Sequence, residues 1–327
     1  MRKVISFLSF FDPFVAALFA VVLVASLFPC SGRAAVLFDY AADFGIVLLF
    51  FLHGAKLSRK AILGGILHWR LHLATLMLTF GLFPALGLLL IRLPGLDPGL
   101  SAGLLYLTLL PSTVQSSIAF TSIAGGNVPA AVCGATLSNV LGIFLTPLLV
   151  ATLMQVPGSQ AQVSLDSVKN IALQLLLPFV VGHCVGPWLA GILSRHKSLV
   201  GRVDRGTVLL VVYTAFSASM VGGLWSRLSF QALAGIVLIS CGLLTFVMVV
   251  CKILADCLAL NREDSIVLFF CGSKKSLATG VPMAGTLFPA TEVGLIILPL
   301  MIFHQIQLIV CAVIARRLAK QSASDSL

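Results

Sequence analysis

Two polar runs, Pro111-Ser-Thr-Val-Gln-Ser-Ser117 and Cys271-Gly-Ser-Lys-Lys-Ser276, cut through long apolar segments in the two halves of this chain. The surroundings demand a bilayer: 59% of the 327 residues are hydrophobic, 10% are charged and the mean hydropathy is +1.10. A soluble domain carries about a quarter charged residues. Hydrocarbon offers no water to a free backbone N–H or C=O, so helix-breaking polar residues survive at membrane depth only where they line a cavity or are packed in protein. Matching interruptions in the two halves of a chain point to the binding site of a secondary transporter.

Pro, Gly and charge clusters divide the chain into ten apolar segments, at 11–30, 36–55, 70–92, 100–124, 128–154, 167–193, 205–225, 229–257, 264–287 and 292–315. Each is near the roughly 20 residues that span a bilayer, which predicts an all-α polytopic membrane protein of ten transmembrane helices. The start, Met1-Arg2-Lys3 and an apolar run to Phe28, superficially resembles a signal peptide. The length of the run and the spans behind it predict a retained first helix. The net charge is +10, but Lys and Arg cluster between apolar stretches, where they set orientation rather than bind nucleic acid. Lys56, Arg59, Lys60, Arg195, Lys197, Arg262, Arg316 and Arg317 fall on the N-terminal side, against Arg33, Arg92, Lys169 and Arg227 opposite. Both termini are expected in the cytoplasm and the protein in a plasma, or inner, membrane. The eight cysteines form no C-x-x-C pair and suit membrane packing better than a disulfide or zinc framework.

Segments four and nine, the interrupted pair, echo each other. Ser117-Ile118-Ala119 matches Ser276-Leu277-Ala278, and Gly126 matches Gly285, at one offset of 159 residues. The expected division is 1–155, a first five-helix repeat; 156–318, a second; and 319–327, a short cytoplasmic tail with a disordered composition. Five is odd, so the second repeat sits upside down relative to the first, the inverted plan of many secondary transporters. Broken helices 4 and 9 then cross at the midplane. Half-helix N-terminal ends there favour anions and C-terminal ends favour cations. Gly125-Gly126-Asn127 joins segments four and five as a tight hinge.

The stretches Phe51-Leu-His-Gly-Ala-Lys-Leu57, Thr113-Val-Gln-Ser-Ser117, Ala119-Phe-Thr-Ser122, Gly126-Asn127, Phe270-Cys-Gly-Ser-Lys-Lys-Ser-Leu277, Pro282-Met283 and Pro299-Leu-Met-Ile-Phe-His-Gln-Ile-Gln307 span nearly the whole chain. Their order resembles the divergent branch of the bile acid:sodium symporter family. The resemblance implies a panel bundle of helices 1, 2, 6 and 7 and a core bundle of helices 3–5 and 8–10, one rocking against the other. It also implies two sodium ions at the helix 4/9 crossing, held by Ser, Asn, Thr, Gln and Glu side chains and freed carbonyls. This chain departs from that pattern. Lys274 and Lys275 stand where the family's Glu and Gln oxygens are expected, and Ser116-Ser117 or Ser117-Ile118 replaces the Ser-Asn pair of segment four.

A lysine at the bilayer centre costs at least a few kcal/mol and is functional by default, which assigns Lys275 to the site with Ser273, Lys274 and Ser276. It stands in for a bound sodium as a tethered cation, or releases and regains a proton each cycle, or pairs with an anionic solute. The plain alternatives are snorkelling to an interface and a structural pair with a carboxylate such as Asp39 or Asp43. Gln115, Ser116, Ser117 and Thr121 offer neutral oxygens to an ion or solute, the alternative being helix–helix hydrogen bonding. Asn127 is either a hinge residue or an ion ligand, and Thr136 and Asn139 share a face of segment five at spacing three. His304, Gln305 and Gln307 of segment ten are within reach of the same cavity. His68 and His72 have the spacing of a metal pair but no third ligand nearby in sequence.

No G-x-x-x-x-G-K-[ST] or H-E-x-x-H occurs, so ATP-driven pumping and zinc-protease chemistry lack support. The sequence predicts a secondary active transporter, not an enzyme, moving a small organic, anionic solute by alternating access. The coupling ion is expected to be Na+ or H+, with no other cofactor. Its expected partners are the solute, the coupling cation and the lipid bilayer, and a monomer is expected. The alternative is a non-transporting membrane regulator of another protein or ion flux.

Overall fold

The computed structural model describes residues 13–56, 68–93, 96–154, 165–223 and 229–325, and these are helices joined by short turns and breaks, with no strand among them. In chain order the helices are α1 (Pro13–Leu27), α2 (Gly32–Ala55), α3 (Trp69–Met77), a π-helical turn (Leu78–Leu82), α4 (Phe83–Leu90), α5 (Pro98–Leu109), α6 (Gln115–Ile123) and α7 (Val128–Leu153). There follow α8 (Leu165–Arg195), α9 (Lys197–Val221), α10 (Phe230–Cys257), α11 (Arg262–Gly272), α12 (Leu277–Leu287) and α13 (Ala290–Asp325). Helices dominate because only a helix closes its own backbone hydrogen bonds inside hydrocarbon.

Six of the described helices are long and apolar enough to cross a membrane. Outward faces are apolar too: Phe44, Trp188, Phe230 and Leu238 are each more than two-thirds exposed, which suits lipid and not water. Segments four and nine fall short of a span as single helices because each is broken. The fourth is α5 and α6, 12 and 9 residues, and the ninth is α11 and α12, 11 residues each. The third segment is continuous but passes through the π turn before Pro84. The last helix runs to Asp325, through the tail expected to be disordered. The boundary expected at 155/156 and the charged start Met1-Arg2-Lys3 lie outside the described residues.

The chain divides into two compact units. One is drawn from Met1–Leu57, Val150–Ser229 and Gly280–Leu298. Its α2 and α8 touch backbone to backbone at glycines: a Cβ on Gly54 collides with the Phe179 carbonyl, and one on Gly182 with the Phe51 carbonyl. Small residues permit this approach where lipid supplies no hydrophobic drive for helix pairing. The other unit is drawn from Ser58–Leu149, Phe230–Thr279 and Pro299–Leu327. It contains both breaks.

Candidate functional site

A half-helix ending inside a protein leaves its last carbonyls without partners, so each must be accounted for. At the end of α5 the five carbonyls from Thr108 to Ser112 all have partners. The Leu109 carbonyl accepts from Thr146 Oγ1 at 2.9 Å, the Pro111 carbonyl from the Ser276 N–H at 2.9 Å, and the Ser112 carbonyl from Asn139 Nδ2 at 2.7 Å. The carbonyls of Thr108 and Leu110 both accept from Lys275 Nζ, at 2.8 and 2.6 Å.

A third carbonyl reaches the same ammonium, that of Thr79 at 2.8 Å. Its availability follows from the π turn. There the Phe83 N–H bonds the Leu78 carbonyl, five residues back. The Thr79 carbonyl would take its bond from residue 84 in the same register, but Pro84 has no N–H to give. One proline thus frees one carbonyl in the middle of an apolar helix, and Lys275 takes it. The ammonium also lies 4.2 Å from the ring centre of Phe83. A lysine at this depth costs about 2.5–3.5 kcal/mol on insertion scales, while each hydrogen bond to a charged group contributes about 1.5–3 kcal/mol. Three of them offset the cost.

The second break is served in return by the first. Ser112 Oγ donates to the Cys271 carbonyl, and Ser117 Oγ to the Phe270 carbonyl at 2.9 Å. Both acceptors lie in the last turn of α11. Asn139 ties the two sides together, accepting from Thr279 Oγ1 at 2.8 Å, while Thr279 Oγ1 accepts from Ser276 Oγ at 2.9 Å. The peptide of Lys275 is held by Gln307, whose Oε1 accepts from the Lys275 N–H at 3.0 Å and whose Nε2 donates to its carbonyl at 2.9 Å. Gln307 Nε2 also lies 2.8 Å from His304 Nδ1.

Lys274 is different. It is fully buried, its Nζ has no hydrogen-bond partner among the described residues, and it rests 4.5 and 5.3 Å from the ring centres of Phe120 and Phe270. The described ion pairs are Lys56–Asp204 and His68–Asp264. Neither lysine of the break belongs to one, so the alternative of a structural pair with Asp39 or Asp43 is not seen among the described residues.

Of the residues singled out in the sequence, the structure brings Ser117, Asn139, Lys275, Ser276 and His304 into one bonded cluster. Ser116 bonds Thr113 at 3.1 Å, Ser273 bonds back to the Phe269 carbonyl of its own helix, and the buried Thr121 hydroxyl has no partner among the described residues. Gln115 is exposed, and Thr136 and Gln305 are half-buried and outside the network. Asn127 sits at the hinge: it donates to Asp264 at 2.9 Å and caps the Ala130 N–H at 3.0 Å, beside Gly125 with φ +72°. Asp264 is also the carboxylate that His68 meets, at 3.2 Å. No cluster of three metal-ligating side chains occurs among the described residues. Thr79, Thr108 and Leu110 escape a side-chain reading because they act through backbone carbonyls, whereas Ser112 and Thr279 act through hydroxyls that were not singled out. Pro84, inside segment three, is the signal that was there to find.

Two broken helices that complete each other's hydrogen bonding around a buried lysine, among helices long and apolar enough to cross a membrane, are what a membrane transport protein is expected to show. The chain matches the SBF-like CPA transporter family over residues 12–320 and belongs to it. It is 52% identical over 312 residues to PA2026 of Pseudomonas aeruginosa, covering 95% of this chain and 93% of the relative. It is 53% identical over 313 residues to YfeH of Escherichia coli (strain K12), which carries the name of a proposed symporter, covering 95% of this chain and 94% of the relative. Sodium/bile acid cotransporter 7 of Mus musculus is 28% identical over 279 residues, 82% of this chain and 80% of that protein. The bile acid:sodium symporter resemblance therefore stands, and the protein is a multi-pass membrane transporter.

Proposed function

We propose that this protein is a secondary active transporter that moves a small organic anion by alternating access, driven by a sodium or proton gradient. The observation that carries the reading is the mutual bonding of the two helix breaks, which concentrates freed carbonyls, hydroxyls and two lysines in one place. A ten-helix inverted repeat is supported by a detail of that bonding. The Ser276 N–H meets the Pro111 carbonyl, and the Ser117 hydroxyl meets the Phe270 carbonyl. The offset of 159 residues carries 111 into 270 and 117 into 276, so the repeat exchanges the two residue pairs, with a backbone N–H as donor in one and a hydroxyl in the other.

An anionic solute suits Lys274, which is without a hydrogen-bond partner, whereas Lys275 has its donors occupied. Gln115, exposed on α6, is the polar contact we assign to the solute. Rocking of a panel against a core, with both termini in the cytoplasm of an inner membrane, completes the proposal. The test is counterflow in proteoliposomes preloaded with one of a panel of organic carboxylates and sulfonates, bile salts among them. Transient accumulation of the labelled external anion, weakened in Gln115→Ala, is expected. No accumulation above empty liposomes for any member of the panel overturns the reading.

A further inference from the structure

We infer that the carbonyls of Thr79, Thr108 and Leu110 form a monovalent-cation site that the chain fills with its own Lys275 ammonium, and that removing the side chain opens this site to a free small cation. An ammonium has three N–H donors and no acceptor. Three acceptors lie within 2.6–2.8 Å of Lys275 Nζ, in the range of charge-assisted bonds. A neutral amine would turn a lone pair onto one of these oxygens, so the count of acceptors selects the cation.

The surroundings have the features of a cation site. Thr108 and Leu110 lie at the C-terminal end of α5, where the helix dipole is negative. The Thr79 carbonyl is left open by Pro84. The Phe83 ring presents its π face at 4.2 Å, a second favourable surface for a cation. Carbonyl oxygens that replace a hydration shell are the usual means of holding an alkali ion in a membrane. Gln307 fixes the Lys275 peptide at both its N–H and its carbonyl, so the tether is itself held in place. The side chain is fully buried and meets no carboxylate among the described residues. Among those residues the carbonyls are the counter-charge.

The inference rests on taking the two breaks as the ion site of the proposed transporter, but its test does not need a solute. The full chain, purified in detergent, is unfolded thermally in choline, sodium, potassium and ammonium chloride at matched ionic strength, as wild type, Lys275→Ala and Lys274→Met. The expected result is that wild type and Lys274→Met each keep their own midpoint across all four salts, which leaves the proton as the coupling ion of the proposed transporter. Lys275→Ala should unfold several degrees lower in choline and recover, saturably, in at least one of the three small cations. A variant indifferent to all four salts overturns the inference, as does an equal response in wild type and variant. If Lys275→Ala yields no folded protein in choline, the yield of monodisperse protein in each salt becomes the readout, for Lys275→Ala and Lys275→Ser alike. Failure of both in every salt also overturns it. Counterflow is scored separately, so a cation-responsive variant of a protein that moves no anion condemns the transport reading alone.

Discussion

At the scale of single residues, Lys274 and Lys275 are neighbours with opposite energetics. Lys275 is offset by three charge-assisted bonds, whereas Lys274 has only two aromatic faces, worth about 0.5–2 kcal/mol together with their desolvation. A buried polar group without a hydrogen bond costs about 1–3 kcal/mol. Lys274→Met, which keeps the length and removes the amine, is therefore expected to raise the thermal midpoint by a few degrees, at roughly 2–4 °C per kcal/mol for a chain of this scale. In counterflow the same variant should lose anion accumulation, since a group that lowers stability is retained where function needs it. Gln307→Leu makes the contrasting case. It strips the Lys275 N–H of its partner and leaves the Lys275 carbonyl only the 3.5 Å approach of His304 Nδ1, and a loss of about 1–3 kcal/mol, seen as a lowered midpoint, is expected from one orphaned buried group.

At the scale of elements, the π turn and the glycine contacts carry the consequences. Pro84→Ala restores an N–H that can close on the Thr79 carbonyl, leaving the clasp two oxygens in place of three. In a Lys275→Ala background it should weaken the apparent affinity for the small cation about tenfold, which is the loss of roughly 1.4 kcal/mol, measured as a shift of the salt titration. Gly54→Leu drives a side chain into the Phe179 carbonyl of α8, and loss of folded protein, read by size-exclusion profile, is expected. The helical class and the two broken segments were legible in the sequence, because hydropathy and polar interruptions are properties of side chains. The paired lysines were legible for the same reason. Their partners were not, since backbone carbonyls carry no residue code. Pro84 was visible, yet a proline inside an apolar helix reads as a kink until the π register shows which carbonyl it frees. Asn127 stood between hinge and ligand in the sequence, and its side chain bonds Asp264 and the Ala130 N–H.

At the scale of the whole molecule, the distribution of Lys and Arg along the chain bears on topology. The excess of Lys and Arg on the N-terminal side predicts cytoplasmic termini, so a carboxyl-terminal green fluorescent protein fusion should fluoresce and an alkaline phosphatase fusion at the same point should be inactive. The reverse pattern would invert the proposed orientation. The clasp around Lys275 has a consequence for the environment in which such a protein works. A free ion occupies its seat only as often as the surrounding medium supplies it, and a change in salinity empties or fills the seat. An ammonium joined to the chain is present at an effective concentration fixed by the length of its own side chain. The molecule carries its electrolyte with it, and this part of it is indifferent to whether the cell stands in brine or in rainwater.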